Sequence, residues 1–299
     1  MVPINKKHRF INSHSLPENY LQQASIWFDP IVESLLKHHN SEKKGFIAGV
    51  SGCQGSGKTT LADYLSISLI EHGLRCVAIS IDDFYLTQQQ REHLAKETHP
   101  LLITRGVPGT HDIPLALSTL NALLNKEGSV PIPRFNKSQD DRYPKNKWPI
   151  IEAPVDIVIL EGWCLGIDAQ TEQDLVQPMN QLESLQDTDG KWRKYVNRQL
   201  ETAYTPLWDL IDNIIMLKAP DFDSVYQWRL EQEQKLSQKN SASEQETTKI
   251  MSPAQIKYFI QHYERLTRHS LNHLPIHCQH VFKLSKQRQI LSHKSPPPL

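Results

Sequence analysis

Gly52-Cys53-Gln54-Gly55-Ser56-Gly57-Lys58-Thr59 matches the phosphate-binding pattern G-x-x-x-x-G-K-[ST] at every required position. Glycines let consecutive backbone N–H groups turn inward around phosphate oxygens, a lysine reaches the β- and γ-phosphates, and a Ser/Thr hydroxyl takes a divalent metal ion. The setting fits the pattern. Residues 46–50 before the loop read as a buried apolar strand, and residues 60–65 after it open a helix. The dipole at that helix's N-terminus favours an anion. Strand, glycine turn and helix in this order predict a nucleoside triphosphate site.

Outward from the loop, residues 76–81, 155–160, 213–217 and 280–284 form further short apolar runs. Residues 115–124, 192–210 and 223–236 carry helical spacing between them. Such alternation predicts an α/β fold, a mostly parallel sheet with helices on both faces. Residues 20–39 suggest another helix, with a break near Pro30. Two stretches are poor in apolar residues, 131–149 and 237–249, and the second reads as a mobile loop. The expected organisation is an irregular segment over 1–18, one domain over 19–285 and a flexible tail over 286–299.

Composition narrows the partners. Lys plus Arg and Asp plus Glu are 33 each, so the formal net charge is zero, which removes any general attraction to nucleic acid or an acidic membrane. Cys53, Cys76, Cys164 and Cys278 lie far apart with no C-x-x-C pair, the pattern of reduced packing residues. No run of about 18 apolar residues occurs, and no secretory-type apolar start, so a cytoplasmic location is expected.

In a parallel sheet, ligands sit at the carboxyl ends of the strands. The second strand ends in Asp82-Asp83-Phe84-Tyr85. Alternation sends the two acids to opposite sides, so one enters the site, and Asp82 is expected to take the proton of a substrate hydroxyl, with Asp83 structural. The third ends in Glu161-Gly162-Trp163, where an acid holds a metal ion, usually through water. Asp156 lies at the other end of that strand, a poor place for a metal ligand. The loop Arg105-Gly106-Val107-Pro108-Gly109-Thr110-His111-Asp112 is either an acceptor loop, with Arg105 on an anionic group, or a polar turn before a helix. Arg134, Lys137 and Arg142 supply anion ligands or belong to a solvated loop. Arg229 either swings over the triphosphate from a lid helix or pairs with Glu233 at i,i+4.

The set is more specific than its members. Gly52 through Thr60, Asp82-Asp83-Phe84-Tyr85-Leu86-Thr87, Arg105-Gly106 with Gly109-Thr110-His111-Asp112, the Arg134 to Arg142 loop, Leu160-Glu161-Gly162-Trp163 and Trp228-Arg229 occur in family order. Over roughly residues 20–285 the chain resembles the plant-type D-glycerate 3-kinases, within the P-loop kinases that include uridine kinase, phosphoribulokinase and pantothenate kinase. The resemblance implies a three-layer P-loop fold with a helical lid, lid and acceptor elements falling at about 84–150 and 221–270. It implies ATP and Mg²⁺ as cofactors, Gly52, Cys53, Gln54, Gly55, Ser56, Gly57, Lys58, Thr59 and Thr60 around the nucleotide, and Thr59 and Glu161 on the metal. Lys58, Asp82, Glu161 and Arg229 take catalytic roles in it. Asp82, Tyr85, Arg105, His111, Asp112, Arg134 and Lys137 face a small, anionic acceptor, D-glycerate first. The chain departs from the family at two places: G-x-G-D-R is replaced by Ser138-Gln139-Asp140-Asp141-Arg142, and the lid region over 237–249 is longer and more polar. The competing readings are a nucleoside or pantothenate-like kinase and, in another class, a regulatory NTPase acting on a protein partner.

Overall fold

Two helices, α1 (Lys6–His14) and α2 (Tyr20–Glu42), precede the first strand, β1 (Phe46–Gly52), in a computed structural model that describes residues 6–42, 44–241 and 251–295. The phosphate-binding pattern joins β1 to α3 (Lys58–Glu71), and β2 (Cys76–Ser80), a 3₁₀ turn (Ile81–Phe84), α4 (Gln88–Glu97) and α5 (Ile113–Asn125) follow. Next come β3 (Gly128–Pro131) paired with β6 (Ile150–Ala153), and between them β4 (Phe135–Asn136) paired with β5 (Asp141–Arg142). The chain continues through β7 (Ile157–Gly162), α6 (Gln181–Gln186), α7 (Lys191–Glu201), α8 (Thr205–Trp208) and β8 (Ile211–Lys218). It ends with α9 (Phe222–Ser241), α10 (Pro253–His273), β9 (His280–Leu284) and β10 (Ile290–Lys294).

Among the described residues, six strands form the main sheet in the order β10-β9-β8-β1-β7-β2. All its pairings are parallel except β10 on β9. β1 and β7 are buried along their whole length, as central strands covered on both faces must be. Alternation along β1 sends Ala48 and Val50 to one core with α2 and α3, including Ile31, Leu35, Leu61 and Leu65. It sends Ile47 to another with Leu120, Leu123, Val158 and Leu160. The three-layer α/β architecture follows from those two cores.

Five expectations change. Helix α2 runs unbroken through Pro30, because Phe28, Ile31, Val32 and Leu35 around it are buried and offset the lost hydrogen bond. Residues 6–14, expected to be irregular, are helical, and Phe10 packs its ring 6.0 Å from both Tyr20 and Tyr64. The helix expected over 192–210 divides into α7 and α8, with buried Tyr204 at the joint and Pro206 in α8's first turn. Residues 290–294, placed in a flexible tail, are strand β10. Of the loop expected over 237–249, residues up to 241 continue α9, and the remainder lies outside the described residues, as does the tail beyond 295.

Helix α10 was not anticipated, although its start is signalled. Ser252 and Gln255 form a reciprocal capping box with Pro253 in the first turn. The helix is held by a buried ion pair. Arg265 donates to both carboxylate oxygens of Glu183 at 2.7 and 2.6 Å, and to the carbonyls of Asp174 and Gln177 at 2.7 Å each. Removing one partner of such a pair costs on the order of 3–5 kcal/mol.

Candidate active site

The donor side is local in sequence. Gly55 and Gly57 take φ of +77° and +93°, a region that residues with side chains seldom adopt, and this turns the loop's amides inward. A Cβ on Gly55 would lie 2.6 Å from that of Trp228, so α9 packs directly on the loop. The β9–β10 turn braces the same point. Arg288 donates to the Gly55 carbonyl at 2.8 Å and lies 5.3 Å from the Trp228 ring centroid, while Trp228 Nε1 donates to the Lys286 carbonyl at 2.7 Å. None of this second support was expected from a stretch read as a tail.

Strand register brings the acids to this loop. Glu161 on β7 lies between Val50 of β1 and Ser80 of β2, and Ser80 precedes Asp82 by two residues. Thr59 Oγ1 donates to Glu161 Oε1 at 2.9 Å, and Lys58 Nζ lies 3.8 Å from Oε2. That Oε2 and Ser56 Oγ are buried and lack hydrogen-bond partners among the described residues. A buried carboxylate oxygen that accepts no hydrogen bond, beside a Thr hydroxyl and the phosphate loop, fits a hydrated divalent cation and the phosphates it accompanies.

The acceptor side is assembled from distant segments. Asp82 accepts from Lys137 Nζ at 2.7 Å and from Tyr85 OH at 2.8 Å. Burial by itself would raise its pKa. The charges of Lys137 and Lys58 and those two hydrogen bonds outweigh burial and hold the carboxyl well below the usual range. Asp83 has different partners: it accepts from Arg134 Nη1 at 2.5 Å and from the Phe135 amide at 3.1 Å, which ties the β4–β5 hairpin to the turn. Both acids sit on the 3₁₀ turn rather than on the strand itself.

No family model matches the chain. A protein of Schizosaccharomyces pombe named an uncharacterized kinase is 33% identical over 251 residues, spanning 81% of this chain and 87% of the relative. The chloroplastic D-glycerate 3-kinase of Arabidopsis thaliana is 34% identical over 262 residues, 82% of this chain and 52% of that one. The chain belongs to the D-glycerate 3-kinase family of P-loop kinases. A solved structure of D-glycerate 3-kinase from Cryptococcus neoformans superposes with a TM-score of 0.73 at 27% identity, covering 93% of this chain and all of that one. The protein is thus an ATP-dependent kinase that phosphorylates a hydroxyl of a small metabolite.

The other residues singled out in this kinase divide into two groups. Tyr85, Arg105, Arg134 and Lys137 gather around Asp82 and Asp83, with Arg105 5.3 Å from the Phe135 ring and ion-paired with Asp140. Asp112 instead caps α5 at the Leu115 amide (3.1 Å) and accepts from Arg142 at 3.2 Å, so its carboxylate is spent on the scaffold. Arg229 is in the i,i+4 pair with Glu233 at 2.6 Å, the scaffold alternative for it, and Glu233 also accepts the Met251 amide. Thr60 turns its hydroxyl to His14 of α1 at 3.3 Å. His111 is buried, stacks on Tyr85 with centroids 4.5 Å apart, and places Nδ1 2.6 Å from Tyr204 OH. Tyr204 OH also accepts the Gly109 amide at 3.1 Å, so the ring and the Arg105–Asp112 loop share one hydroxyl. Burial lowers the His111 pKa to about 4, so the ring is neutral.

Three contributors had no clear signal in the sequence. Buried Arg91 donates to the carbonyls of Leu86 (3.3 Å), Ile103 (2.6 Å) and Asp140 (2.6 Å), joining three loops. Tyr263 of α10 donates to the Arg105 carbonyl at 2.9 Å and packs so close to Gly106 that a Cβ there would lie 2.3 Å from its hydroxyl oxygen. Finally, α1, α2, α9 and the β9–β10 turn enclose a cavity of about 730 Å³ that opens on Gly55, Ser56 and Gly57. It lies beside the phosphate loop, where the nucleoside end of a bound nucleotide has room.

Proposed function

We propose that this kinase uses ATP and Mg²⁺ to phosphorylate D-glycerate, giving 3-phosphoglycerate. The observation that carries the reading is Asp82, held ionised at a strand end beside Lys58 on the donor side and Lys137 on the acceptor side. Arg105 stands near enough for its charge to act on Lys137, so two cations, each held by an aspartate it can exchange for another carboxylate, suit a hydroxy acid. The D-glycerate 3-kinases of Arabidopsis and Cryptococcus among its relatives support the same substrate.

In this scheme the acceptor hydroxyl oxygen forms a bond to the γ-phosphorus as the bond to the bridging oxygen of ADP breaks, and its proton passes to Asp82. Lys58 and the loop amides neutralise charge on the phosphate oxygens, and positioning supplies most of the acceleration. Thr59 and Glu161 would hold Mg²⁺, which supplies further charge neutralisation to the β- and γ-phosphates. Tyr85 aims the Asp82 carboxylate, and Lys137 and Arg105 meet the acceptor's carboxylate. Lys137 then exchanges one carboxylate partner for another, which frees Asp82 to take the proton. The same proposal treats α1 through β10 as one catalytic domain. It keeps the cytoplasmic expectation, which the free thiols of Cys53, Cys76, Cys164 and Cys278 support.

The test is an ATP-dependent phosphorylation screen over hydroxy acids, sugars, nucleosides and pantothenate, with product mass read directly. Phosphorylated D-glycerate with ADP formed one for one is expected. A phosphorylated nucleoside with unreacted glycerate would overturn the substrate.

A further inference from the structure

Asp140 stands where the family's G-x-G-D-R loop has its second glycine, and the backbone explains that glycine. At Asp140 φ is +56°, the left-handed region that glycine enters freely and Asp tolerates. The side chain present here adds a carboxylate at a place where the glycine pattern has none. That carboxylate pairs with the Arg105 guanidinium and lies 3.0 Å from Arg91. Arg91 does not depend on it, since its guanidinium already donates to three backbone carbonyls. Arg105 is in a different position. Its main chain is fixed by Tyr263, and its charged end is shared between Asp140 and the face of Phe135, close enough to Lys137 for the two charges to interact.

We propose that Asp140 is a specificity-determining residue of the acceptor site: a built-in carboxylate that occupies the Arg105 guanidinium and handicaps carboxylate-bearing acceptors against neutral ones. The inference rests on the acceptor side assigned above. An incoming carboxylate must both break the Arg105–Asp140 pair and lie next to a like charge, whereas a neutral polyol meets neither penalty. Asp140's side chain is 43% exposed, so its carboxylate has water to turn into when a stronger anion arrives. This discrimination is distinct from the catalytic chemistry, because the Asp140 carboxylate pairs with Arg105 and Arg91 and not with Lys58 or Lys137.

The experiment compares wild type with Asp140→Gly and Asp140→Asn, both compatible with a left-handed backbone. D-glycerate and the neutral analogue glycerol serve as acceptors, and KM for ATP is followed in parallel. If wild type phosphorylates D-glycerate, both variants should lower its KM by about tenfold and raise the glycerate-over-glycerol ratio of kcat/KM by a similar factor. An unchanged or higher KM for glycerate, or equal effects on both acceptors, overturns the role of Asp140 and leaves the glycerate reading standing. If wild type leaves glycerate unreacted, a gain of glycerate phosphorylation in either variant supports Asp140 as the excluding group and removes glycerate as the native substrate. Failure of all three proteins on glycerate overturns both.

Discussion

The two halves of this active site are built in opposite ways. In the proposed site the donor half centres on one stretch from Gly52 to Thr59, its amides shaped by positive-φ glycines, with Glu161 of β7 set beside Thr59. The acceptor half draws Asp82 from the end of β2, Arg105 from the loop before α5, and Arg134 and Lys137 from the β4–β5 hairpin. These are joined through side-chain ion pairs, Lys137 with Asp82, Arg134 with Asp83, and Arg105 with Asp140. A phosphate is the same in every nucleotide, so a fixed backbone cradle serves it. The acceptor varies among P-loop kinases, and a site held by exchangeable ion pairs on a small hairpin is altered by single substitutions.

The comparison breaks if a donor residue affects only the acceptor, or an acceptor residue only the nucleotide. Lys58→Ala should give the largest effect, a fall in kcat/KM on the order of 10³–10⁵, because a full charge aimed at the transferring phosphoryl is lost. Steady-state kinetics with wild-type-like values there would remove the loop from the chemistry. Asp82→Asn should lower kcat by about 10²–10⁴ while KM for ATP stays within about twofold. An equal loss of nucleotide affinity would move Asp82 to the donor half.

Smaller effects sharpen the boundary. Glu161→Gln should raise the Mg²⁺ concentration for half-maximal activity by about 10- to 100-fold, measured by metal titration at saturating ATP. An unshifted titration would take Glu161 off the metal. Arg288→Ala removes the donor to the Gly55 carbonyl and should raise KM for ATP by about threefold, with KM for the acceptor unaltered, as expected for a partly exposed contact. A change confined to the acceptor would contradict the bracing seen between the β9–β10 turn and the loop.

Burial depresses His111 to about 4, so between there and the ordinary value near 6.5 the unfolded chain binds the extra proton and the folded one does not. Stability contributed by neutral His111 is therefore present above about pH 6.5 and lost as the pH falls toward 4. His280, lowered to about 4 by burial and then by the neighbouring His293, adds in the same direction. Urea midpoints should decline from pH 7 to pH 5, and His111→Gln should flatten part of that decline. An unaltered slope in the variant would show that His111 is not the buried neutral group its contacts describe.

Legibility follows the same division. The donor loop, β1, β2, β7, β8 and β9 were readable because a glycine pattern and apolar runs are local signals. Asp82 and Glu161 were readable because strand ends in a parallel sheet share one edge. Helix α10 was missed despite the Ser252–Gln255 box, since its apolar residues are interleaved with charges such as Arg265 whose partner is Glu183, 82 positions away. Strand β10 was missed because Ser292, His293 and Lys294 read as polar tail, and β9 alone turns them into an edge strand.

The sequence by itself determined the phosphate loop, the parallel sheet and the acids at its edge, because hydrophobic periodicity and glycine's conformational freedom act within a few residues. Tertiary structure alone decided which charged groups meet. It assigned Arg229 to Glu233, Asp112 to α5 and Arg142, and Arg105 to Asp140. Ion pairs depend on distance in space, and a linear chain carries no record of which side chains that distance will join until the packing is complete.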